Sequence, residues 1–149
     1  MFKADRILIG IDFTRASHEM VKVLYDLEVD KRCSIVLVHV VPDLVKQSAL
    51  YVKKGDKIDE QQRIEQEAVK MLDEFRSKRL KGFGKVEAVI VKGDPAAGLL
   101  TVASTRRVNL IILGVSGSDK IETSRLGSTA DKVIRGTPCP VLFVPLAGT

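Results

Sequence analysis

Glycine and hydroxyl residues near the end of the chain have a spacing that could bind an anion. An aliphatic run, Leu110–Leu113, ends at Gly114, and Gly117 follows three residues later. Nine further residues lead to the Gly-Ser-Thr sequence of Gly127–Thr129, where a helical pattern begins. Glycine lets a backbone approach a ligand closely, and free amides at a helix start favour phosphate. The stretch therefore predicts either a phosphate-binding loop or a plain connection between a strand and a helix.

Asp12 is a second candidate for chemistry because it directly follows a short aliphatic run, Arg6–Ile11. A carboxylate at the end of a buried strand could hold a ribose hydroxyl or a metal ion bound to phosphates. It could equally cap the helix that follows, with Thr14 and Ser17 as rival caps. The local pattern leaves both interpretations open.

The motifs of several other enzyme classes are missing from the chain. Neither the Walker A pattern GxxxxGK[ST] nor the dinucleotide pattern GxGxxG occurs. A serine hydrolase is disfavoured because Ser116 does not lie in a GxSxG element. His18 falls in a predicted helix and His39 in a predicted buried strand, where a satisfied core histidine is more typical than a catalytic base. The two cysteines, Cys33 and Cys139, lack the spacing of metal ligands.

The composition is that of one globular domain, residues 1–149, with a sizeable core. Hydrophobic residues make up 45% of the chain and charged residues 29%. The net charge of +5 comes from dispersed cations, which does not indicate a nucleic-acid partner. No apolar run approaches the roughly 18 residues of a membrane span, so we expect a cytoplasmic protein without a membrane partner.

Hydrophobic periodicity predicts alternating strands and helices. Asp59 and Asp94 are predicted helix caps, Gly82 a helix stop, and the long excursion at 43–57 has room for one short helix. Such alternation indicates an α/β fold with a parallel sheet. The predicted strands are 6–11, 34–41, 85–91, 109–113 and 141–145, and the predicted helices begin near 17, 59, 95 and 126.

Ligands of parallel sheets bind beyond the carboxyl ends of the strands, where the strand order reverses. Asp12, the residues after His39, Asp94 and Gly114 all follow predicted strands. We therefore expect these positions to converge on one crevice.

The chain resembles the universal stress protein family over nearly its whole length. The family's nucleotide-binding members carry the motif Gly-x2-Gly-x9-Gly-(Ser/Thr). This motif is matched by Gly114, Gly117, Gly127 and Ser128, and further family landmarks are matched by Ile7–Asp12, Leu37–Pro42, Gly93–Pro95 and Pro138–Pro145.

The resemblance implies a Rossmann-like, adenine nucleotide alpha hydrolase-like fold. It has a five-stranded parallel sheet of order 3-2-1-4-5 with helices on both faces. ATP or AMP would lie across the ends of strands one and four, with Mg²⁺ or Mn²⁺ where phosphates carry a metal. Asp12 would contact the ribose or that metal, and the Val40 backbone would read the adenine edge. Gly114, Gly117, Gly127, Ser128 and Thr129 would hold phosphates and ribose.

Phe13 stands where the family usually has glycine, so its ring would either shape the adenine pocket or fold away from it.

The resemblance also implies a homodimer that pairs the last strand, Val141–Val144. We expect a regulatory or stress-response protein with at most slow ATP hydrolysis, because no base or arginine finger is evident. The alternative is a non-catalytic interaction module with a degenerate nucleotide site.

Overall fold

A computed structural model describes residues 2–13, 15–47, 54–115 and 128–145. Strands and helices alternate along this part of the chain, as the periodicity predicted. The strands are β1 (Arg6–Gly10), β2 (Ser34–Val41), β3 (Lys85–Lys92), β4 (Leu110–Val115) and β5 (Val141–Pro145), and the helices are α1 (Arg15–Asp26), α2 (Leu44–Gln47), α3 (Lys54–Arg79), α4 (Pro95–Thr105) and α5 (Ser128–Gly136).

The five strands form one parallel sheet in the order β3-β2-β1-β4-β5, which confirms the predicted topology. Ile7 on β1 lies opposite Ile35 on β2 and Leu110 on β4. The chain moves outward from β1 to β3 and then returns to the other side of β1. The strand order therefore reverses between β1 and β4, and this is the position where parallel sheets bind ligands.

Two hydrophobic cores lie on opposite faces of the sheet. Ile7, Leu8 and Ile9 of β1 are fully buried, because a central parallel strand is covered on both faces. Alternate residues of β1 contribute to different cores, as the two-residue period of a strand requires. One core joins the sheet to α1 and α3 through Met20, Leu24, Leu72 and Phe75, and the other joins it to α4 and α5 through Leu99, Val102, Ala103 and Val133.

The predicted start of the long helix was wrong, because α3 begins at Lys54 and Asp59 lies inside it. An ion pair joins Lys57 Nζ to Glu60 Oε2 at 3.1 Å, one turn apart within the additional helical segment. The helix ends at Arg79, close to the predicted end at about Leu80 and before the stop residue Gly82. The short helix expected in the 43–57 excursion is α2, while residues 48–53 lie outside the described residues.

Gln61 of α3 fixes the chain where it leaves β2. Its side chain is almost fully buried, and its Oε1 accepts the Leu44 amide at 2.8 Å. Its Nε2 donates to the Pro42 carbonyl at 3.0 Å. A buried amide satisfied in this way holds the carboxyl end of β2 in one position.

Asp94 caps α4 as predicted. Its Oδ2 accepts the Ala97 amide at 2.9 Å, and Pro95 occupies the first helical position. Among the described helices, none is both long and apolar enough to span a membrane.

Candidate functional site

A crevice of about 380 Å³ opens beyond the carboxyl ends of β1, β2 and β4. It lies at the reversal of strand order, and the first turns of α4 and α5 form part of its wall. Its lining residues are Gly10, Ile11, Asp12, Met20, Val38, His39, Val40, Pro95, Leu99, Leu113, Gly114, Val115, Ser128, Thr129 and Ala130.

Most of the predicted site residues within the described ranges meet in this crevice. Asp12, Val40, Gly114, Ser128 and Thr129 all contribute to its lining. Gly117 and Gly127, the other two glycines of the motif, lie outside the described residues. The crevice therefore brings together the sequence-predicted positions from β1, β2, β4 and α5.

Gly10 forms the floor of the crevice at the end of β1. A Cβ atom at this position would lie 2.6 Å from Leu113 Cδ2 and 3.5 Å from Leu99 Cδ2. The first distance is shorter than carbon atoms tolerate, so any side chain at this position would force the Leu113 side chain to move.

Asp12 is held at the mouth of the crevice by Ser17 of α1. The Ser17 hydroxyl donates to Asp12 Oδ1 at 3.1 Å, and its oxygen accepts the Asp12 amide at 3.3 Å. Ser17 is fully buried, whereas Asp12 is exposed. The carboxylate is thus attached to the first turn of α1 through the Ser17 side chain and borders the crevice at the same time.

His39 links the end of β2 to the end of β1. Its Nδ1 lies 2.7 Å from the Ile11 carbonyl oxygen, which makes Nδ1–H the donor. The imidazole also packs against the Phe13 ring, with centroids 4.5 Å apart and planes at 51°. The predicted role of His39 as a satisfied core histidine is thus incomplete, because the residue also lines the crevice.

Phe13 has a left-handed backbone conformation with φ of 61°. This conformation is unusual for a bulky residue and turns the chain sharply after Asp12. The Phe13 ring packs against the α1/α3 core and lines a separate groove with His18 and Phe75. Of the two placements expected for this ring, the structure shows the one in which it folds toward the α1/α3 side.

The start of α4 borders the crevice, and its Ala97 amide is already bound by the Asp94 side chain. Hydrogen bonding from the Ala97 amide, aided by the charge of Lys132, holds the pKa of Asp94 below its usual range. Lys132 Nζ of α5 lies 3.4 Å from Asp94 Oδ1 and so joins the two helices. Because the Asp94 carboxylate already caps α4, the start of α4 is a poor site for a second anion.

Metal and thiol chemistry find little support in the described ranges. These ranges contain no group of three or more His, Cys, Asp or Glu side chains that could hold a metal ion. Burial raises the pKa of the Cys33 thiol and of the Cys139 thiol, which disfavours the reactive thiolate. Asp12 is the one carboxylate among the described residues that line the crevice.

Gly10 and His39, which both line the crevice, were not identified as site residues from the sequence. Gly10 was read simply as part of an aliphatic strand, although a glycine within such a strand signals close packing. His39 was assigned to the core because it lies within a strand. Its contact with the Ile11 carbonyl spans 28 positions of sequence, and no local pattern contains that information.

The model of the universal stress protein family matches residues 3–145 of this chain. Universal stress protein YxiE of Bacillus subtilis is 24% identical over 145 residues, which cover 94% of this chain and 98% of that protein. Among solved structures, hypothetical protein MJ0577 superposes with a TM-score of 0.83 at 22% identity, covering 99% of this chain and 100% of that one.

Two further solved structures have the same fold and are described with a nucleotide. A universal stress protein in complex with cAMP has a TM-score of 0.66 at 19% identity and covers 97% of this chain and 98% of its own. An Arabidopsis thaliana universal stress protein family protein with AMP bound has a TM-score of 0.63 at 16% identity, with coverages of 94% and 90%. At these identities the likeness shows a shared fold.

Proposed function

Because this chain belongs to the universal stress protein family, we propose that it binds an adenine nucleotide, ATP or AMP, and acts as a dimeric regulatory or stress-response protein. The observation that carries the proposal is the crevice at the reversal of strand order, lined by Asp12, Val40, Gly114, Ser128 and Thr129. Structures of the same fold with cAMP and with AMP support a nucleotide as the ligand class.

The lining suggests how the parts of a nucleotide would be distributed. The backbone of Val40 would pair with the adenine edge, and Asp12 would accept a hydrogen bond from a ribose hydroxyl. The Ser128 and Thr129 hydroxyls, together with amides at the start of α5, would face the phosphate. Gly114 supplies a surface without a side chain, so the ligand can approach the backbone of β4 closely.

A divalent metal is compatible with this site only through the nucleotide. Mg²⁺ or Mn²⁺ commonly binds one or two carboxylates together with substrate phosphates. Asp12 supplies one carboxylate at the mouth of the crevice. The metal would then neutralise phosphate charge, which matters more for ATP than for AMP.

The first test asks whether the purified protein carries or binds a nucleotide. Denaturing the protein and assaying the supernatant for adenine nucleotides detects a ligand that co-purifies. Calorimetric titration with AMP and ATP then measures affinity. We expect binding of at least one of them; absence of both co-purified nucleotide and measurable binding would contradict the proposal and favour an interaction module.

Asp12→Asn tests the placement of the ribose. A carboxylate accepts a hydrogen bond more strongly than an amide, so we expect AMP affinity to fall about five- to tenfold. Asp30→Asn is the matched control, because Asp30 pairs with Arg32 near the amino ends of the strands. Equal affinities for AMP in both variants and the unmodified protein would contradict the assignment of Asp12.

The dimer would form through β5, which is an edge of the sheet. Val141, Leu142 and Phe143 are apolar and half-buried, and Pro140 and Pro145 flank the pairing edge. A short apolar edge strand favours pairing with a second strand. These features support a second copy of the chain as the partner.

Val141→Lys tests this interface, since a lysine on an edge strand opposes strand pairing. We expect the unmodified protein to sediment as a dimer and the variant as a folded monomer. Lys85, on the opposite edge strand β3, is already charged, and Lys85→Ala serves as the control. A monomeric unmodified protein, or a variant that remains dimeric, would contradict the interface.

A further inference from the structure

We propose that His39 keeps the Val40 backbone available to the ligand by occupying the hydrogen-bond acceptor with which Val40 would otherwise pair. The identity of the ligand rests on the proposed nucleotide function, whereas the geometry rests on the described hydrogen bonds. It makes His39 a positioning residue for recognition of the base.

The parallel register shows which groups of β2 face the crevice. Gly10 lies opposite Val38, and the Ile11 amide donates to the Val38 carbonyl at 2.8 Å. In a regular parallel ladder the next hydrogen bond would run from the Val40 amide to the Ile11 carbonyl. The N–H and C=O groups of Val40 thus point toward β1 rather than β3, beyond the point where β1 ends.

Val40 does not make that hydrogen bond, and His39 donates to the carbonyl it would use. Its Nδ1–H donates to the Ile11 carbonyl at 2.7 Å, so the acceptor nearest to the Val40 amide is already engaged. Phe13 packs on the same imidazole at 4.5 Å, and its left-handed φ of 61° carries the chain out of the ladder. Together these contacts end β1 at Gly10 and hold the gap beside Val40 open.

The chemistry of the gap suits a base that presents a donor next to an acceptor. An amide N–H and a carbonyl of one residue match the N1 acceptor and N6 donor of adenine. Guanine presents a donor at N1 and an acceptor at O6, so both pairings would be reversed. The opening that His39 maintains therefore favours adenine over guanine.

Three substitutions at His39 distinguish the effect of a hydrogen-bond donor at the Nδ1 position from the effects of side-chain polarity and size. Asn places an amide nitrogen near the position of Nδ1, whereas Gln places it farther from the backbone and Leu has no donor. His18→Leu is the matched control, because His18 is exposed on α1 and packs against Phe75. All variants are first compared by circular dichroism so that only folded proteins enter the test.

Hydrogen exchange of the Val40 amide, followed by NMR without ligand, tests the geometry directly. In His39→Leu and His39→Gln we expect the Val40 amide to pair with the released Ile11 carbonyl and to exchange at least about tenfold more slowly. His39→Asn and His18→Leu should exchange like the unmodified protein. Unchanged Val40 exchange in both Leu and Gln variants would overturn the inference, whatever the protein binds.

Affinities for AMP, GMP and ribose 5-phosphate test the consequence for recognition. We expect the Leu and Gln variants to lose about tenfold in AMP affinity and most of the preference for AMP over GMP. Ribose 5-phosphate, which lacks the base, should bind all variants equally. If the unmodified protein binds no adenine nucleotide, the proposed function fails, while the exchange experiment still decides the role of His39. Parallel losses for AMP and ribose 5-phosphate would indicate a merely structural role and overturn the inference.

Discussion

The backbone of the central strand β1 has different hydrogen-bond partners at the two ends of the sheet. At the amino end the Asp5 and Arg6 carbonyls accept the amides of Ser34 and Asn109 at 2.9 and 2.8 Å. The Asn109 side chain also accepts the Arg6 amide at 3.1 Å, and it donates to the Lys3 carbonyl at 3.1 Å. The backbone at this end is therefore paired on both sides of the strand.

At the carboxyl end, side chains replace the neighbouring strand as hydrogen-bond partners of β1. His39 engages the Ile11 carbonyl, and Ser17 engages the amide and carboxylate of Asp12. The Ile11 carbonyl and the Asp12 amide are thereby paired, while β1 stops short of its neighbours. A crevice that includes Gly10, Asp12 and Gly114 in its lining results, whereas a larger cavity of about 950 Å³ at the amino end has Phe2, Leu27 and charged side chains in its lining.

The difference shows how a parallel sheet can have a fully paired backbone at one end and room for a ligand at the other. Buried backbone groups must be paired in either case. Pairing by a neighbouring strand closes the surface, but pairing by Ser or His leaves room beside the strand. The following predictions compare matched positions at the two ends.

Gly10→Val and Gly84→Val should give the largest contrast in stability. At Gly10 the added Cβ would lie 2.6 Å from Leu113 Cδ2, so we expect a loss of about 2–3 kcal/mol in unfolding free energy. At Gly84, just before β3, nothing lies within 4 Å of an added Cβ, so we expect a change within about 0.5 kcal/mol.

Urea unfolding measures both variants, and AMP titration is done on the same samples. Gly10→Val should also weaken AMP binding, because its side chain narrows the crevice. Similar stabilities for the two variants would show that Leu113 moves aside without cost.

Ser17→Ala and Asn109→Ala compare the side chains that satisfy the backbone at each end. Ser17→Ala removes the fully buried hydroxyl that accepts the Asp12 amide, so we expect a loss of about 1–2 kcal/mol and several-fold weaker AMP binding. Asn109→Ala should cost about 1 kcal/mol and leave AMP affinity unchanged.

Chemical denaturation and calorimetry of both proteins check these values. An equal effect of the two substitutions on AMP binding would contradict the division of roles between the ends.

Asp94 gives the smallest expected effect, and it depends on pH. The pKa of Asp94 is lowered in the folded protein by the Ala97 amide and then by Lys132. A lowered folded pKa stabilises the protein above the ordinary carboxylate pKa, and this contribution disappears as pH falls through the folded value. Asp94→Asn keeps a good helix cap but does not titrate.

Melting temperatures of the unmodified protein and Asp94→Asn should therefore converge or cross over the interval from about pH 5 to below the ordinary Asp pKa of about 3.9. A constant difference across this interval would show that the charge of Asp94 contributes nothing beyond capping.

Much of the fold follows from patterns within short segments. The aliphatic runs of β1, β2 and β4 indicate strands buried on both faces, and Asp94-Pro95 marks the start of α4. The strand order came from the family resemblance. The start of α3 was misplaced because Asp59 is a suitable N-cap residue by type. The local sequence does not show whether the helix already begins upstream of such a residue.

The sequence by itself determined the alternation of strands and helices, the residues at the carboxyl ends of strands, and the family motif. These features depend on residue type and short spacing. Only the tertiary structure decided that His39 meets the Ile11 carbonyl, that Gly10 packs closely beside Leu113, and that the Phe13 ring packs against His39. Each of these contacts joins residues from different segments, and their distances depend on the register and packing of the whole sheet.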